Sequence, residues 1–145
     1  MKQLILVRYG QYDNGHLTDE GVNTMTLAGS ILKPLISNLT VRVVAAETRR
    51  AIESAEIVGS MINKKVESYS QLYAAEEEGR LPDCETAKKL LLELGDGYDC
   101  VVAIVSREYI ETLPSYLLNK ELQTSLDRGE CLVIDLEHKS ITFLK

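Results

Sequence analysis

The sequence has few cysteines, and their arrangement matches no common cysteine site. There are three, Cys84, Cys100 and Cys131, an odd number at wide spacings and without a CxxC pair. Disulfide-stapled secreted scaffolds and cysteine zinc sites need paired or closely spaced cysteines, so both classes are excluded. The pattern favours a reducing, cytoplasmic setting.

Long apolar runs and an excess of positive charge are also missing. No apolar stretch approaches the roughly 20 residues that cross a bilayer, and the first residues carry no recognisable targeting signal. The formal net charge of -6 opposes non-specific attraction to nucleic acids and anionic lipids. We therefore expect a soluble protein that binds neither nucleic acid nor membrane, in which any anion site is a local cluster of arginines.

The glycines do not form a nucleotide-binding motif. Gly10 and Gly15 have the spacing of neither a Walker loop nor a dinucleotide fingerprint. Cys100 stands seven residues before Arg107, one too many for the Cys-x5-Arg loop of cysteine phosphatases. No repeat, low-complexity tract or linker interrupts the chain. With 145 residues, 45% of them hydrophobic, the sequence predicts a single domain over residues 1–145, without metal or cofactor.

Six runs rich in valine, isoleucine and leucine predict strands at residues 3–8, 41–46, 66–70, 100–105, 131–136 and 140–144. Apolar residues at helical spacing predict a helix after each of the first four strands. The first helix should begin after Thr18 as N-cap and bury a stripe from Val22 to Leu35. The third should run from Asp83 as N-cap to Gly95. Pro114 is expected to kink or split the fourth.

The order of these elements predicts the fold class. Strands that alternate with helices form parallel sheets with right-handed crossovers. The runs at 4–7 and 101–105 are apolar without alternation, which is typical of strands buried on both faces. The short link at 137–139 makes the last two strands an antiparallel hairpin. We therefore predict a three-layer α/β/α sandwich with a mostly parallel sheet of about six strands and an antiparallel edge hairpin.

Arginines follow the ends of the predicted parallel strands. Arg8 closes the first strand, Arg49 and Arg50 begin the helix after the second, and Arg107 begins the helix after the fourth. Ligands of open α/β sheets bind beyond these strand ends. A cation at a helix start is disfavoured by about 0.3 to 1 kcal/mol, and a phosphate held by the guanidinium groups would remove this conflict. Alternatively, these arginines pair with neighbouring carboxylates such as Glu47, Glu53 or Glu108.

Four segments around these residues resemble, in order and spacing, the signatures of the histidine phosphatase superfamily, also called phosphoglycerate mutase-like. They are Leu6-Val7-Arg8-Tyr9-Gly10, Leu17-Thr18-Asp19-Glu20-Gly21, Arg50-Ala51-Ile52-Glu53-Ser54-Ala55-Glu56 and Val105-Ser106-Arg107. The compact length is similar to that of small phosphohistidine phosphatases of the SixA type. The resemblance implies a phosphoglycerate mutase-like fold.

The resemblance also implies a role for each matching residue. In the superfamily a first histidine accepts the phosphoryl group, a second histidine assists, and two arginines hold the phosphoryl oxygens. Here Arg8 and Arg50 match the two arginines. Tyr9 falls on the first histidine position and Arg107 on the second.

Both replacements weaken catalysis. A neutral imidazole is a competent phosphoryl acceptor near neutral pH, whereas a phenol with a reference pKa of about 10 is largely protonated there. Guanidinium stays protonated and cannot serve as general acid or base. We therefore predict a pseudoenzyme without efficient phosphatase activity. It would use Arg8, Arg50 and Arg107 to bind phosphate, a small phosphorylated ligand or a phosphoprotein.

Two other functions stay open at this point. An active phosphatase or phosphotransferase would use Tyr9 in the field of the arginines, or His16 in the loop after the first strand. Glu77 lies in an acidic run near the position where many superfamily members place the acid that protonates the leaving group. His16 and Glu77 are therefore candidate residues of the pocket rim. A protein-interaction scaffold with a filled pocket is the remaining alternative.

Overall fold

A six-stranded sheet forms the centre of the computed structural model, which describes residues 1–144. Its strands are β1 (Gln3–Arg8), β4 (Val41–Ala46), β5 (Val66–Tyr69), β6 (Cys100–Val105), β7 (Cys131–Asp135) and β8 (Ser140–Leu144). The two-residue strands β2 (Tyr12–Asp13) and β3 (His16–Leu17) form a separate small hairpin. The helices are α1 (Asp19–Ile36), α2 (Arg49–Met61), α3 (Cys84–Leu94) and α4 (Arg107–Leu118).

The sheet has the predicted mixed topology. Its strand order is β5-β4-β6-β1-β7-β8, and β5, β4, β6 and β1 are parallel. β7 runs antiparallel to β1, with Cys131 opposite Val7, and β8 runs antiparallel to β7. Because β7 runs the other way, it begins at the edge of the sheet where the parallel strands end.

Burial confirms that helices cover both faces of the central strands. Every residue of β6 is buried, as are Leu4 to Val7 in β1. Of the helices, α1 packs against α2, and α3 packs against α4. The three-layer α/β/α fold class predicted from the sequence is therefore confirmed. In the described part of the chain, no helix combines the length and the apolar character that crossing a membrane requires.

The predicted helix caps are present. Thr18 Oγ1 accepts a hydrogen bond from the Gly21 N–H at 3.1 Å, and Asp83 Oδ1 accepts one from the Thr86 N–H at 3.1 Å. These bonds satisfy backbone donors that have no partner inside the helix. Four of the six strands have the predicted bounds, and the strands from Val66 and Cys131 each end one residue earlier than predicted.

Pro114 does not split α4, which continues through it to Leu118. Proline lacks the N–H that would bond the carbonyl four residues earlier, so the Ile110 carbonyl loses its helical donor. The Thr124 hydroxyl donates to that carbonyl at 2.6 Å. A side chain from the segment after the helix thus replaces the missing backbone bond.

The predicted apolar stripe of α1 is wrong at its two ends. Val22 and Leu35 are exposed, whereas Gly21 and Ile36 are buried. The reason is a close backbone contact at the start of the helix: an added Cβ on Gly21 would lie 2.0 Å from the Gln11 carbonyl oxygen. Only a glycine lets α1 approach the loop after β1 so closely, and this contact makes Gly21 rather than Val22 the first buried position of the helix, while Met25, Ala28 and Leu32 are buried as predicted.

We expect Gly21→Ala to lower the free energy of unfolding by about 1 to 3 kcal/mol, because the added methyl group overpacks this contact. Urea unfolding of parent and variant measures the difference. Asn23→Ala changes an exposed position of the same helix and should stay within about 0.5 kcal/mol of the parent. Equal stabilities of the parent and Gly21→Ala would contradict the close contact.

Candidate functional site

Arginine and tyrosine side chains meet at the edge of the sheet where the parallel strands end. We call this group the arginine–tyrosine cluster; it consists of Arg8, Tyr9, Tyr12, Arg50, Tyr73 and Arg128. Arg8 and Tyr9 come from the end of β1, and Arg50 from the first turn of α2. Arg128 comes from the turn before β7.

Tyr9 lies at the centre of the cluster and is 9% exposed. The Cζ atoms of Arg50 and Arg128 lie 5.1 and 5.2 Å from the centroid of its ring. Tyr12 packs edge-on against Tyr9, with 5.6 Å between the ring centroids, and the same two arginines lie 4.6 and 5.0 Å from its own ring. Two guanidinium groups and two phenol rings therefore form one packed unit of cation–π contacts.

Ser54 ties Arg50 to the loop that carries Tyr9. Its hydroxyl accepts a hydrogen bond from the Gly10 N–H at 3.2 Å and donates to the Arg50 carbonyl at 2.8 Å. The side chain of Ser54 is fully buried. One hydroxyl thus joins the end of β1 to the first turn of α2 and sets the spacing between Tyr9 and Arg50.

Several buried nitrogens of the cluster have no acceptor. Arg8 Nη1 donates to the Leu126 carbonyl at 2.7 Å, but Arg8 Nε, Arg50 Nε and Arg128 Nη1 have no hydrogen-bond partner among residues 1–144. None of these three guanidinium groups has a carboxylate within 4.0 Å in that part of the chain. Buried donors without acceptors are costly, so the cluster offers unused donors to an acceptor-rich ligand.

The surroundings shift the pKa values of two arginines in opposite directions. Burial and the neighbouring charge of Arg128 lower the pKa of Arg8, although Tyr9 opposes this effect. Burial also disfavours the charge of Arg50, but the polar interaction with the neighbouring Tyr9 phenol, with further contributions from Tyr12 and Tyr73, outweighs it and raises the pKa of Arg50. The phenol groups therefore take the place that carboxylates usually occupy around a partly buried arginine.

Arg107 differs from the other arginines because carboxylates surround it. Its side chain is 41% exposed, and Nη1 lies 3.1 Å from Glu111 Oε1, one helical turn further along α4. Its Nη2 lies 3.9 Å from Glu76 and from the buried Glu108. These carboxylates, Glu111 first, raise the pKa of Arg107 even though burial opposes it. The sequence left two alternatives for these arginines, an anion site or pairing with neighbouring carboxylates. The structure shows carboxylate pairing for Arg107 but not for Arg8.

The two rim candidates, His16 and Glu77, are both exposed. The side chain of His16 is 61% exposed, and its Nδ1 lies 3.1 Å from Glu53 Oε2. Glu53 also accepts the Leu17 N–H at 2.8 Å, so it ties the small hairpin to α2. Glu77 is exposed in a short 3-10 turn. Its neighbour Glu78 is the one that reaches the cluster, through a 2.5 Å hydrogen bond from the Tyr73 hydroxyl.

Sequence reasoning missed Arg128, Tyr12 and Tyr73. Arg128 had a usable signal: the last two strands were predicted to be an antiparallel hairpin, so the residues before Cys131 could have been placed at the edge where β1 ends. The tyrosines had none, because they stand in the loops after β1 and β5 and outside any motif. In the described part of the chain no group of three or more histidine, cysteine, aspartate or glutamate side chains is placed to hold a metal ion.

We expect Ser54→Ala to lower the free energy of unfolding by about 1 to 3 kcal/mol, because the buried Gly10 N–H loses its acceptor. Denaturant unfolding measures the change. Ser60→Ala, which removes an exposed hydroxyl from the same helix, is the matched control and should change the stability little. A Ser54→Ala variant as stable as Ser60→Ala would contradict this role.

Neither a family model nor a curated protein matches the sequence. Solved structures do resemble the fold. Histidine phosphatase SixA with tungstate is 21% identical, with 99% of this chain and 94% of that chain covered and a TM-score of 0.78. A mycobacterial glucosyl-3-phosphoglycerate phosphatase with VO3 is 16% identical, with 99% and 97% covered and a TM-score of 0.76.

A third similar structure is a putative alpha-ribazole-5'-P phosphatase from Escherichia coli. It is 15% identical, with 98% of this chain and 94% of that chain covered and a TM-score of 0.71. All three belong to the histidine phosphatase superfamily. At these identities the likeness establishes the architecture: this chain has the phosphoglycerate mutase-like α/β fold.

Proposed function

We propose that this chain is a catalytically degenerate protein of the histidine phosphatase fold that binds phosphate or a phosphorylated ligand through Arg8, Arg50 and Arg107. The observation that carries the proposal is the pair of buried Nε atoms of Arg8 and Arg50, which meet no acceptor within residues 1–144. A phosphoryl group between them would supply acceptor oxygens and compensate the charge. In a chain with a net charge of -6, such a concentration of uncompensated arginine supports a dedicated anion site.

The structural relatives support an oxyanion as the ligand. Structures with this fold were obtained with tungstate, with VO3 and with inorganic phosphate. Arg8 and Arg50 stand in the segments that resemble the superfamily signatures. Their positions at the ends of β1 and β4 are those from which an α/β sheet commonly binds ligands.

In this proposal Arg107 contributes at the rim. Its guanidinium already bonds Glu111 and is 41% exposed, so an anion must compete with that carboxylate. Solvent also screens its charge more than that of Arg50. We therefore assign the larger share of the binding free energy to Arg8 and Arg50.

The surroundings of Tyr9 support binding of a phosphorylated ligand without hydrolysis. A phenol that attacks phosphorus needs a base to remove its proton. Over residues 1–144 the Tyr9 hydroxyl has no hydrogen bond to a carboxylate or an imidazole. His16 is engaged with Glu53, and Arg107 cannot accept a proton. The protein-interaction scaffold is less well supported, because carboxylates do not fill the space around Arg8 and Arg50.

Arg50→Ala should weaken binding of inorganic phosphate by about 10- to 100-fold, the usual effect of losing charge-assisted hydrogen bonds. Isothermal titration calorimetry measures Kd for the parent and the variant. Arg42→Ala is the matched control: its guanidinium pairs with Glu67 at 2.7 Å near the opposite end of the sheet, and phosphate affinity should not change. A parent protein that binds no phosphate, or equal Kd values for the parent and Arg50→Ala, would overturn the proposal.

Hydrolysis of an aryl phosphate separates the proposal from an active enzyme. We expect the parent, Tyr9→Phe and His16→Ala to show the same background rate, because no base is placed to activate either residue. Turnover by the parent that disappears in Tyr9→Phe or His16→Ala would establish the active alternative instead. Trapping of an acid-stable phosphoester on Tyr9 would do the same.

A further inference from the structure

Arg128 is the arginine of the cluster that the superfamily resemblance leaves unexplained. It lies outside all four segments that resemble the signatures, yet its guanidinium lies over the rings of Tyr9 and Tyr12, at 5.2 and 5.0 Å. Its Nη1 is buried and has no acceptor in residues 1–144. Together with burial, its charge lowers the pKa of Arg8, and Asp127 offsets this repulsion only in part, so an anion bound here would relieve it.

The backbone holds Arg128 beside Arg8. The Gly129 N–H donates to the Arg8 carbonyl at 2.9 Å, and the Arg8 N–H donates to the Glu130 carbonyl at 3.1 Å. A turn closes this segment, with the Glu130 N–H bonded to the Asp127 carbonyl at 3.0 Å. Gly129 has a φ of 76°, and a Cβ there would lie 2.3 Å from Thr24 Cγ2. The turn therefore requires glycine, and it projects Arg128 from a constrained backbone.

We propose that Arg128 is a further anion-binding arginine at the centre of this site, beside Arg8 and Arg50, and that Tyr12 is its positioning residue. Tyr12 contacts both Arg50 and Arg128 through its ring, at 4.6 and 5.0 Å. A ring against the face of a guanidinium leaves the N–H groups at its edge free to bind an anion. Tyr12 thus positions the guanidinium groups of Arg50 and Arg128 and leaves their N–H donors available to an anion.

This inference rests on the proposed function and deepens it, because it specifies the charge of the ligand. Carboxylates compensate the charge of Arg107 at the rim, so Arg8, Arg50 and Arg128 are the three positive charges at the centre of the site. A singly charged anion leaves two of them uncompensated in a partly buried place, whereas a doubly charged anion leaves one. The site should therefore prefer doubly charged tetrahedral oxyanions to singly charged ones of similar shape.

Calorimetry with phosphate on a set of variants tests the role of Arg128. Arg128→Ala should weaken binding by about 10-fold or more, and Arg128→Lys by less, because lysine keeps the charge but lacks the planar fork. Arg42→Ala is the control for loss of one distant positive charge and should bind like the parent. If circular dichroism shows that Arg128→Ala does not fold, Arg128→Lys is the deciding variant. An Arg128→Lys protein that binds phosphate as tightly as the parent would overturn the proposal.

Sulfate and perchlorate provide a readout that a merely structural role would not change. Both anions are tetrahedral, but near neutral pH sulfate carries two negative charges and perchlorate one. The parent should bind sulfate more tightly, and Arg128→Ala should reduce the ratio of the two affinities. An unchanged ratio in a folded Arg128→Ala variant would overturn the assignment of Arg128 as a ligand contact.

A double-mutant cycle tests the role of Tyr12. Tyr12→Phe keeps the ring and should weaken phosphate binding less than Tyr12→Ala does. Combined with Arg128→Ala, Tyr12→Ala should have a smaller effect than it has alone, because the arginine it positions is gone. Additive effects would overturn the positioning role.

The set also distinguishes failure of the inference from failure of the proposed function. If the parent binds phosphate and Arg50→Ala weakens it while Arg128→Ala does not, the anion site stands and the role of Arg128 is overturned. If the parent binds no oxyanion at all, both the proposed function and the role of Arg128 are overturned.

Discussion

Three partly buried arginines without a carboxylate partner determine the character of the sheet edge where the parallel strands end. Arg8, Arg50 and Arg128 converge there; tyrosine rings contact Arg50 and Arg128, and none of the three guanidinium groups has a carboxylate within 4.0 Å in residues 1–144. Cation–π contacts offset part of the cost of burying guanidinium, each by about 0.5 to 2 kcal/mol, but they supply no hydrogen-bond acceptors. The cluster is therefore packed and ordered while its N–H groups remain available.

The fold supports this arrangement with rigid elements and small residues. β1 lies between β6 and β7, so its last residue is held from both sides. Glycine at position 21 lets α1 approach the loop after β1, and the Ser54 hydroxyl joins that loop to α2. A larger residue at either place would move Tyr9 relative to Arg50. Close packing of this kind keeps the donors at fixed separations, as recognition of an anion with several oxygens requires.

The arginines at the end of the parallel strands occupy two different electrostatic environments. Arg107 stands among Glu76, Glu108 and Glu111, where its charge is compensated and partly exposed. Arg50 and Arg128 stand among tyrosine side chains and have no carboxylate within 4.0 Å in residues 1–144. This division explains how an acidic chain can present a basic site. Three carboxylates lie within 4.0 Å of the Arg107 guanidinium, whereas none in residues 1–144 lies that close to Arg8, Arg50 or Arg128. The same division separates the rim of the proposed site from its centre.

Local patterns in the chain were enough to predict its helices and strands, because apolar periodicity and capping side chains act over a few residues. They predicted six strands, four helices and the position of Arg8 and Arg50 at strand ends. The other residues of the cluster are brought to these two arginines by contacts between distant segments. Arg128 reaches the site through the antiparallel register of β7 and a turn that needs Gly129, and Tyr12 reaches it through the small hairpin that Glu53 holds. Strand register and loop anchoring depend on contacts between distant segments, which no local pattern in the chain encodes.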